Sequence, residues 1–101
     1  MAITRLNAFH AKSGRGAALR TFLTSVVTDV SAAPGCRSCE LYEAVDDPEQ
    51  FAVVEVWDTV EAHRAAAKAL APPARVEEAM RLLATPAVGT YFRRVGATPN
   101  A

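Results

Sequence analysis

The sequence lacks two features that define whole classes of protein, namely a long hydrophobic run and an excess of charge of one sign. Its eleven Lys and Arg balance eleven Asp and Glu, and like charges never run beyond two residues. Nucleic-acid surfaces need clustered positive charge, so we expect no nucleic-acid partner. The apolar stretches are broken by charge or Pro well short of a membrane span, and the N-terminus shows no signal-peptide pattern. We expect a cytoplasmic protein that does not bind membranes.

Cysteine is also scarce, with two residues in the chain. Cys36 and Cys39 form a C-x-x-C that could be a redox pair or half of a zinc site. A redox pair normally begins a helix, whereas this pair leads into a β-rich segment, and no second pair completes four zinc ligands. Positions i and i+3 of an extended backbone lie about 10 Å apart, beyond the reach of a disulfide. We therefore predict two half-buried thiols without a disulfide or a metal.

The chain has 101 residues, half of them apolar, which is enough for one hydrophobic core and leaves no room for a separate cofactor domain. We see no internal repeat and no linker. We therefore expect one domain over 1–101, with a core of about 3–95 and a loose tail at 96–101.

Hydrophobic periodicity predicts the order β-α-β-β-α-β. A first strand is predicted over 3–11, and a stripe of apolar residues at three- and four-residue steps predicts a helix over 15–32, ended by Pro34-Gly35. Residues 36–45 and 50–57 are β-rich and flank a turn composition at 46–49, which indicates a hairpin. Residues 58–61 have capping-box spacing, with Asp58 or Thr59 as the cap, before a second, alanine-rich helix. Pro72-Pro73 splits this helix in two, and a final strand follows over 87–95. This order is typical of an α+β, ferredoxin-like fold with an antiparallel sheet.

The strands carry apolar residues on both faces, although the predicted helices can cover only one face. The uncovered face includes Leu6, Val54 and Val56. An apolar sheet face of this size is unfavourable in water, so we expect it to pack against a second copy of the chain. The sequence thus predicts a homodimer through the open sheet face.

Several polar side chains share one face of the predicted sheet. Arg5, Asn7 and Phe9 have the same parity in the first strand, as do Glu55 and Trp57 in the third. Trp57 ends its strand where the second helix begins, so this face should look toward the helices. One interpretation is an ion pair between Glu55 and Arg5, with Asn7 bonded to main chain. The other is a polar binding site, because buried polar groups need hydrogen-bond partners and this amount of polarity is unusual for a core.

The second helix contributes small side chains and a histidine to the same region. Its six alanines at 62, 65, 66, 67, 69 and 71 either leave a cavity for a small ligand or allow close contact between helix and sheet. His63 lies on this helix shortly after Trp57, as a candidate site residue or an ordinary helical histidine. No catalytic triad, metal cluster, phosphate loop or dinucleotide fingerprint is present, which argues against hydrolases, kinases and nicotinamide dehydrogenases.

Four short motifs in this order resemble the antibiotic biosynthesis monooxygenase family of dimeric α+β barrels. They are Pro34-Gly35-Cys36 leading into Glu40-Leu41-Tyr42, then Asp46-Asp47-Pro48, Glu55-Val56-Trp57-Asp58 and Glu61-Ala62-His63. The resemblance covers about 3–95 and implies a dimeric α+β barrel. It is less specific for activity, because the family includes cofactor-independent oxygenases of aromatics and quinols, heme-degrading proteins, an isomerase-like branch and members without known activity.

The resemblance implies Asn7 and Trp57 as catalytic residues, because heme-degrading members use an Asn in the first strand and a Trp that closes the E-x-W strand. Those members place a His nine or ten residues after the Trp, where this sequence has Ala66 and Ala67, and His63 lies one turn earlier. Aromatic oxygenases of the family tend to carry an Asn four residues before the Trp, at Val53 here, so the active-site amide would have to be Asn7.

The function that this resemblance implies is a cofactor-independent monooxygenase acting with O₂ on an electron-rich aromatic, quinol or polyketide-type molecule. Asn7 would bind the substrate oxygen or a peroxide, Trp57 would form the wall or assist electron transfer, and His63 or Tyr42 would manage protons. The predicted substrate-binding residues are Phe9, Tyr42, Glu55 and Ala66. The alternatives are a non-enzymatic ligand-binding or stress-response module, or a protein that binds and degrades heme.

Overall fold

A computed structural model describes residues 2–99 of the chain, so the last two residues of the predicted tail lie outside the described part. Seven elements follow one another along the chain: β1 (Ile3–His10), α1 (Gly16–Ser31), β2 (Cys36–Ala44), β3 (Asp47–Trp57), α2 (Val60–Leu70), α3 (Pro73–Leu82) and β4 (Val88–Phe92). The predicted order and the split second helix are confirmed. The final strand is shorter than predicted, and residues 93–99 form neither helix nor strand.

The four strands form one antiparallel sheet in the order β2-β3-β1-β4. With helices between β1 and β2 and between β3 and β4, this is the ferredoxin-like arrangement expected from the sequence. The central position of β3 places its side chains opposite both β1 and β2. Its final residues, Glu55 and Trp57, therefore lie in the middle of the sheet near the start of α2.

Alternation along β3 separates the two faces of the sheet. Phe51, Val53, Glu55 and Trp57 are buried on the side that carries the helices, whereas the residues between them are only partly buried. A hydrophobic cluster on the helix side joins the first turns of α1 to β3 and the end of α3, and its members are Ala11, Leu19, Leu23, Phe51 and Leu82. This cluster fills one end of the space between sheet and helices, and Trp57 lies toward the other end.

The opposite side of the sheet, called here the open face, is apolar and exposed. Leu6, Tyr42, Val88 and Phe92 each show between 40% and 66% of their surface there. Val54 and Val56 have the same parity and are partly exposed. Within residues 2–99 the helices lie on the other side, so the open face has no cover from the described chain.

The predicted position of the turn before β3 was wrong in detail. The hairpin turn lies at Val45 and Asp46 and not at 46–49, so Pro48 belongs to β3. The pairing with β2 is irregular there, and an irregular stretch near a strand end tolerates the missing N–H of a proline. At the other end of β3 the predicted capping signal is confirmed: the hydroxyl of Thr59 caps α2 by accepting from the Ala62 N–H at 3.0 Å. Asp58, the other candidate cap, pairs with Arg37 at 2.6 Å.

In the part of the chain that the structure describes, no helix is long and apolar enough to cross a membrane. The longest, α1, has 16 residues and ends before Gly35, whose positive φ of 84° turns the chain into β2. That conformation carries little steric cost for glycine because it has no Cβ.

Candidate functional site

A cavity of about 400 Å³ lies between the helix side of the sheet and helices α1 and α2. Its volume falls in the lower part of the range typical of small-molecule sites. The sheet contributes most of the polar side chains, and the helices contribute apolar ones together with the imidazole of His63. The lining comprises Arg5, Asn7, Phe9, Val26, Val30, Glu55, Trp57, His63, Ala66, Ala67, Leu70, Ala71 and Ala87.

A second cavity of about 700 Å³ lies between the end of α1 and the other side of α2. The two carboxylates on its border already have partners, because Asp29 binds Arg75 and Asp58 binds Arg37, each at 2.6 Å. Polar groups therefore converge on the smaller cavity, which is the candidate site. The six alanines considered in the sequence analysis do not all border one cavity: Ala67 and Ala71 line the smaller cavity, whereas Ala62, Ala65 and Ala69 line the larger one and Ala66 borders both.

Glu55 is the centre of a buried hydrogen-bond network. The indole N–H of Trp57 donates to its Oε1, and the amide of Asn7 donates to its Oε2, both at 2.8 Å. Burial raises the pKa of the Glu55 carboxyl, and this rise is opposed by the Trp57 hydrogen bond, the charge of Arg5 and the Asn7 hydrogen bond. Each carboxylate oxygen thus has a fixed donor, which holds Asn7 and Trp57 in place around the acid.

Arg5 extends this network without contacting Glu55 directly. Its Nε donates to Oδ1 of Asn7 at 3.2 Å, and its guanidinium stacks over the ring of Tyr91 with Cζ 4.5 Å from the ring centre. Gly89 is paired with Asn7 across the strands, and a Cβ at position 89 would collide with the side chains of Arg5 and Asn7. The interpretation that Glu55 pairs directly with Arg5 while Asn7 bonds main chain is therefore wrong, since the Asn7 side chain lies between the two.

His63 connects α2 to the sheet. Its Nδ1 lies 2.6 Å from the hydroxyl of Tyr91, and its Nε2 lies 3.8 Å from Oε1 of Glu55. The imidazole packs edge-on between the rings of Trp57 and Tyr91, with centres 5.4 and 5.2 Å away. Burial lowers the pKa of His63, and the charges of Arg5 and Arg64 lower it further, which favours the neutral imidazole near pH 7.

Six of the seven predicted site residues line this one cavity, namely Asn7, Phe9, Glu55, Trp57, His63 and Ala66. The expected place of Tyr42 in this pocket is wrong. Tyr42 pairs with Ala52 on the open face, where it is 50% exposed and donates its hydroxyl to Glu40. Its parity in β2 is opposite to that of Leu41, which packs toward the core, so the sheet separates it from the cavity.

Tyr91 was missed by sequence reasoning, and Arg5 was considered only as an ion-pair partner. The positions of both residues in the site follow from strand register. Arg5 of β1 is paired directly with Tyr91 of β4, and its partner in β3 is Glu55. Parity alone does not give this register for strands that are far apart in sequence.

The two cysteines lie beside the site and are free thiols in the structure. Burial and the nearby Glu55 carboxylate raise the pKa of Cys39 to about 12, and the same two causes raise that of Cys36. Thiols with raised pKa values are poor nucleophiles at neutral pH. Their environment agrees with the predicted role as half-buried packing residues.

Comparison with known proteins identifies a family whose model matches most of the chain. The family model described as antibiotic biosynthesis monooxygenase matches residues 2–81. A search of curated protein sequences gives no match.

Several solved structures are similar over nearly the whole chain. SnoaB from Streptomyces nogalater, described as a cofactor-independent oxygenase, is 20% identical with a TM-score of 0.78 and 98% of each chain covered. Rv0793 from Mycobacterium tuberculosis is 22% identical with a TM-score of 0.79, covering 98% of this chain and 100% of the other. PA3566 from Pseudomonas aeruginosa is 19% identical with a TM-score of 0.80, covering 94% and 95%. At these identities the likeness shows a shared fold.

Proposed function

Because the chain belongs to the antibiotic biosynthesis monooxygenase family, we propose that it is a cofactor-independent monooxygenase that oxidises an electron-rich aromatic, quinol or polyketide-type molecule with O₂. The observation that carries the proposal is the convergence of Asn7, Glu55, Trp57 and His63 on one cavity of small-molecule size. The resemblance to SnoaB, described as a cofactor-independent oxygenase, supports the same reaction class.

The reaction requires a substrate that can lose a proton and then donate an electron. A phenol, enol or activated CH₂ gives up a proton, the anion passes one electron to O₂, and the substrate radical and superoxide combine to a peroxide anion. This anion takes up a proton, equal to the one first removed, to become a hydroperoxide. Loss of water from the hydroperoxide then converts CH₂ into C=O, so one oxygen atom enters the product and the other leaves as water. The substrate supplies all the electrons, and the protein must bind, deprotonate and shield it.

His63 is the group best placed to accept the proton. Its pKa is lowered, so it is a neutral base near pH 7, and within residues 2–99 its Nδ1, but not its Nε2, is at hydrogen-bond distance from a neighbour. The Glu55 carboxyl, 3.8 Å from Nε2, would stabilise the imidazolium that forms. Asn7 is held at both ends of its amide and would orient a substrate oxygen or peroxide, while Trp57 forms the wall.

Heme ligation fits these residues poorly. The two family histidine positions are Ala66 and Ala67, which line the cavity with methyl groups. The imidazole of His63 is held between two aromatic rings, with Nδ1 bound to Tyr91 and Nε2 facing Glu55. The family positions would thus offer heme no imidazole, and His63 is held by these contacts one turn earlier, so we expect no Soret shift on mixing the protein with hemin.

We also propose that the functional unit is a homodimer joined through the open face. The exposed apolar side chains of Leu6, Val88 and Phe92 lie on one continuous side of the sheet, and the family to which the chain belongs supports this pairing. A second copy would cover this surface, and the two cavities would lie on the outer sides of the paired sheets.

The test is oxygen consumption with a quinol and an anthrone-type substrate in a buffer containing a chelator and no flavin. We expect turnover, and we expect Asn7→Ala and Trp57→Phe each to slow it by roughly ten- to a thousandfold, as is typical for loss of one positioned group. Val45→Ala, in the exposed turn between β2 and β3, serves as the control and should leave the rate unchanged. Equal rates in wild type, both variants and protein-free buffer would refute the proposal and favour a non-enzymatic ligand-binding module.

A further inference from the structure

Arg5 is a cation held rigidly at the wall of the candidate site. Two contacts fix it, the stack on Tyr91 and the hydrogen bond from Nε to Asn7, and its guanidinium occupies the space above Gly89 that a side chain would otherwise fill. An arginine held in this way loses little conformational entropy when it binds a ligand.

The charge of Arg5 has no direct counter-ion within the described chain. The ion pairs of residues 2–99 involve Arg37, Arg75 and His63, and Arg5 is in none of them. The nearest acid of the network, Glu55, is separated from Arg5 by Asn7 and has both oxygens occupied by other donors. The field of Arg5 reaches across the cavity, since it is one of the charges that lower the pKa of His63.

The remainder of the cavity wall is suited to a flat apolar body. Val26 and Val30 of α1, Leu70 of α2 and the rings of Phe9 and Trp57 surround the space next to Arg5. A ligand that fills this space and satisfies the cation would be a ring system with one anionic oxygen at its edge.

On these grounds we propose that Arg5 binds a negatively charged oxygen on the substrate, so that the cavity selects aromatic anions, either carboxylates or ionised phenols and enols, over their neutral analogues. This inference rests on the proposed function for the identity of the site, and it adds the charge of the substrate and the residue that recognises it. Arg5 is thereby assigned as a specificity-determining residue of the cavity.

The test uses ligands that cannot be oxidised, so that binding is measured without chemistry. Anthraquinone-2-carboxylate is compared with its uncharged carboxamide, and 2-hydroxyanthraquinone is titrated below and above its own ionisation. Trp57 is the only tryptophan of the chain and lines the cavity, so its fluorescence reports binding; calorimetry provides an independent Kd. The variants are Arg5→Gln, Arg5→Lys and, as a matched control, Arg64→Gln, because Arg64 also approaches the Tyr91 ring, at 5.9 Å, but is exposed.

We expect the carboxylate to bind roughly ten- to a hundredfold more tightly than the carboxamide, the range expected for a hydrogen bond to a charged group. Arg5→Gln should abolish this preference while carboxamide binding stays within about twofold, Arg5→Lys should retain part of it, and Arg64→Gln should retain nearly all. Tight binding of ionised 2-hydroxyanthraquinone alone would identify phenolate as the source of the charge. Circular dichroism of each variant verifies the fold.

Two results would overturn the inference: equal affinity of wild type for carboxylate and carboxamide, or an anion preference that survives Arg5→Gln. The first would mean that Glu55 already neutralises Arg5 through Asn7. Failure of the proposed function is distinguishable, because an Arg5-dependent preference without oxygen consumption refutes only the oxidation. Oxygen consumption with a neutral substrate at the same rate in wild type and Arg5→Gln refutes only the role of Arg5.

Discussion

Replacing Gly89 with alanine should lower the free energy of unfolding, although the same change in a typical strand raises it. A Cβ built at this position lies 2.5 Å from Oδ1 of Asn7 and 2.6 Å from Cζ of Arg5, far inside normal contact distance. Both side chains would have to move, which disrupts the bonds from Arg5 to Asn7 and from Asn7 to Glu55. Forcing extra volume into a packed site costs about 1–3 kcal/mol, whereas glycine to alanine at an unstrained position stabilises by about 0.4–1 kcal/mol.

Urea unfolding followed by Trp57 fluorescence and circular dichroism, at one fixed protein concentration, measures the effect. Gly96→Ala is the control, because nothing lies within 4 Å of a Cβ at that position, and its stability should equal or slightly exceed that of wild type. A loss of 1 kcal/mol corresponds to about 4–8 °C in Tm for a domain of this size, so the two variants should be well separated.

A double-mutant cycle shows whether Arg5 is the cause. In an Arg5→Ala background the penalty of Gly89→Ala should become smaller, since Cζ and Nη2 are gone, while the contact with Asn7 preserves part of it. We expect a coupling of about 1 kcal/mol or more. If Gly89→Ala is as stable as Gly96→Ala, or if the penalty is unchanged without Arg5, the guanidinium does not lie over Gly89 and the rigid cation of the site does not exist.

Four further predictions address the interface, the cavity, the buried acid and the thiols. Val54→Asp on the open face should give a monomer by light scattering, whereas Val45→Asp in the exposed turn should leave the assembly unchanged; a wild-type monomer at micromolar concentration would contradict the dimer. Ala67→Leu should weaken ligand binding by filling the site, and Ala69→Leu, which fills only the larger neighbouring cavity, should not. Burial raises the folded pKa of Glu55 above its unfolded value of about 4.3, so the contribution of Glu55 to stability is fully present below the unfolded value and is lost as the pH rises through the folded pKa. The free energy of unfolding of wild type minus that of Glu55→Gln should therefore fall as the pH is raised above about 4.3, and a rise would refute the direction. Cys36 and Cys39 should react slowly with a disulfide reagent at pH 7.5 and show no mass loss of two units on purification without reductant, because both thiol pKa values are raised.

Local sequence patterns were sufficient to predict the elements but not all of their contacts. The apolar stripe of α1 and the alternation in β3 follow from helix and strand periods, and both are observed. The site residues within β1 and β3 were predictable because Asn7, Glu55 and Trp57 share parity with neighbours that must be buried. Tyr42 was misplaced because the family resemblance gives its position in sequence but not the face of β2 on which it lies.

The contacts of Tyr91 and Arg5 depend on the pairing of the first strand with the last, which are separated by almost the whole chain. A shift of one residue in this pairing would move Tyr91 to the open face. It would also replace Gly89, the partner of Asn7, by a residue that has a side chain. The turn that would fix such a register in a hairpin does not exist between β1 and β4. For this reason the sequence indicated a polar site near Trp57 but did not define the cation and the phenol that complete it.

The arrangement as a whole is difficult to explain by stability alone. Glu55 is buried and its pKa is raised, so folding at neutral pH must oppose the cost of its charge, and replacing buried charged groups with apolar ones is often neutral or stabilising. The adjoining helix carries alanines where larger side chains would fill the cavity and add hydrophobic burial. Three features cost stability: a buried acid with two fixed donors, a rigid cation, and an unfilled space beside the acid and the cation. All three occur at the same end of the sheet. Their coincidence is what a binding site for a polar aromatic ligand requires, because the ligand supplies the missing contacts when it binds.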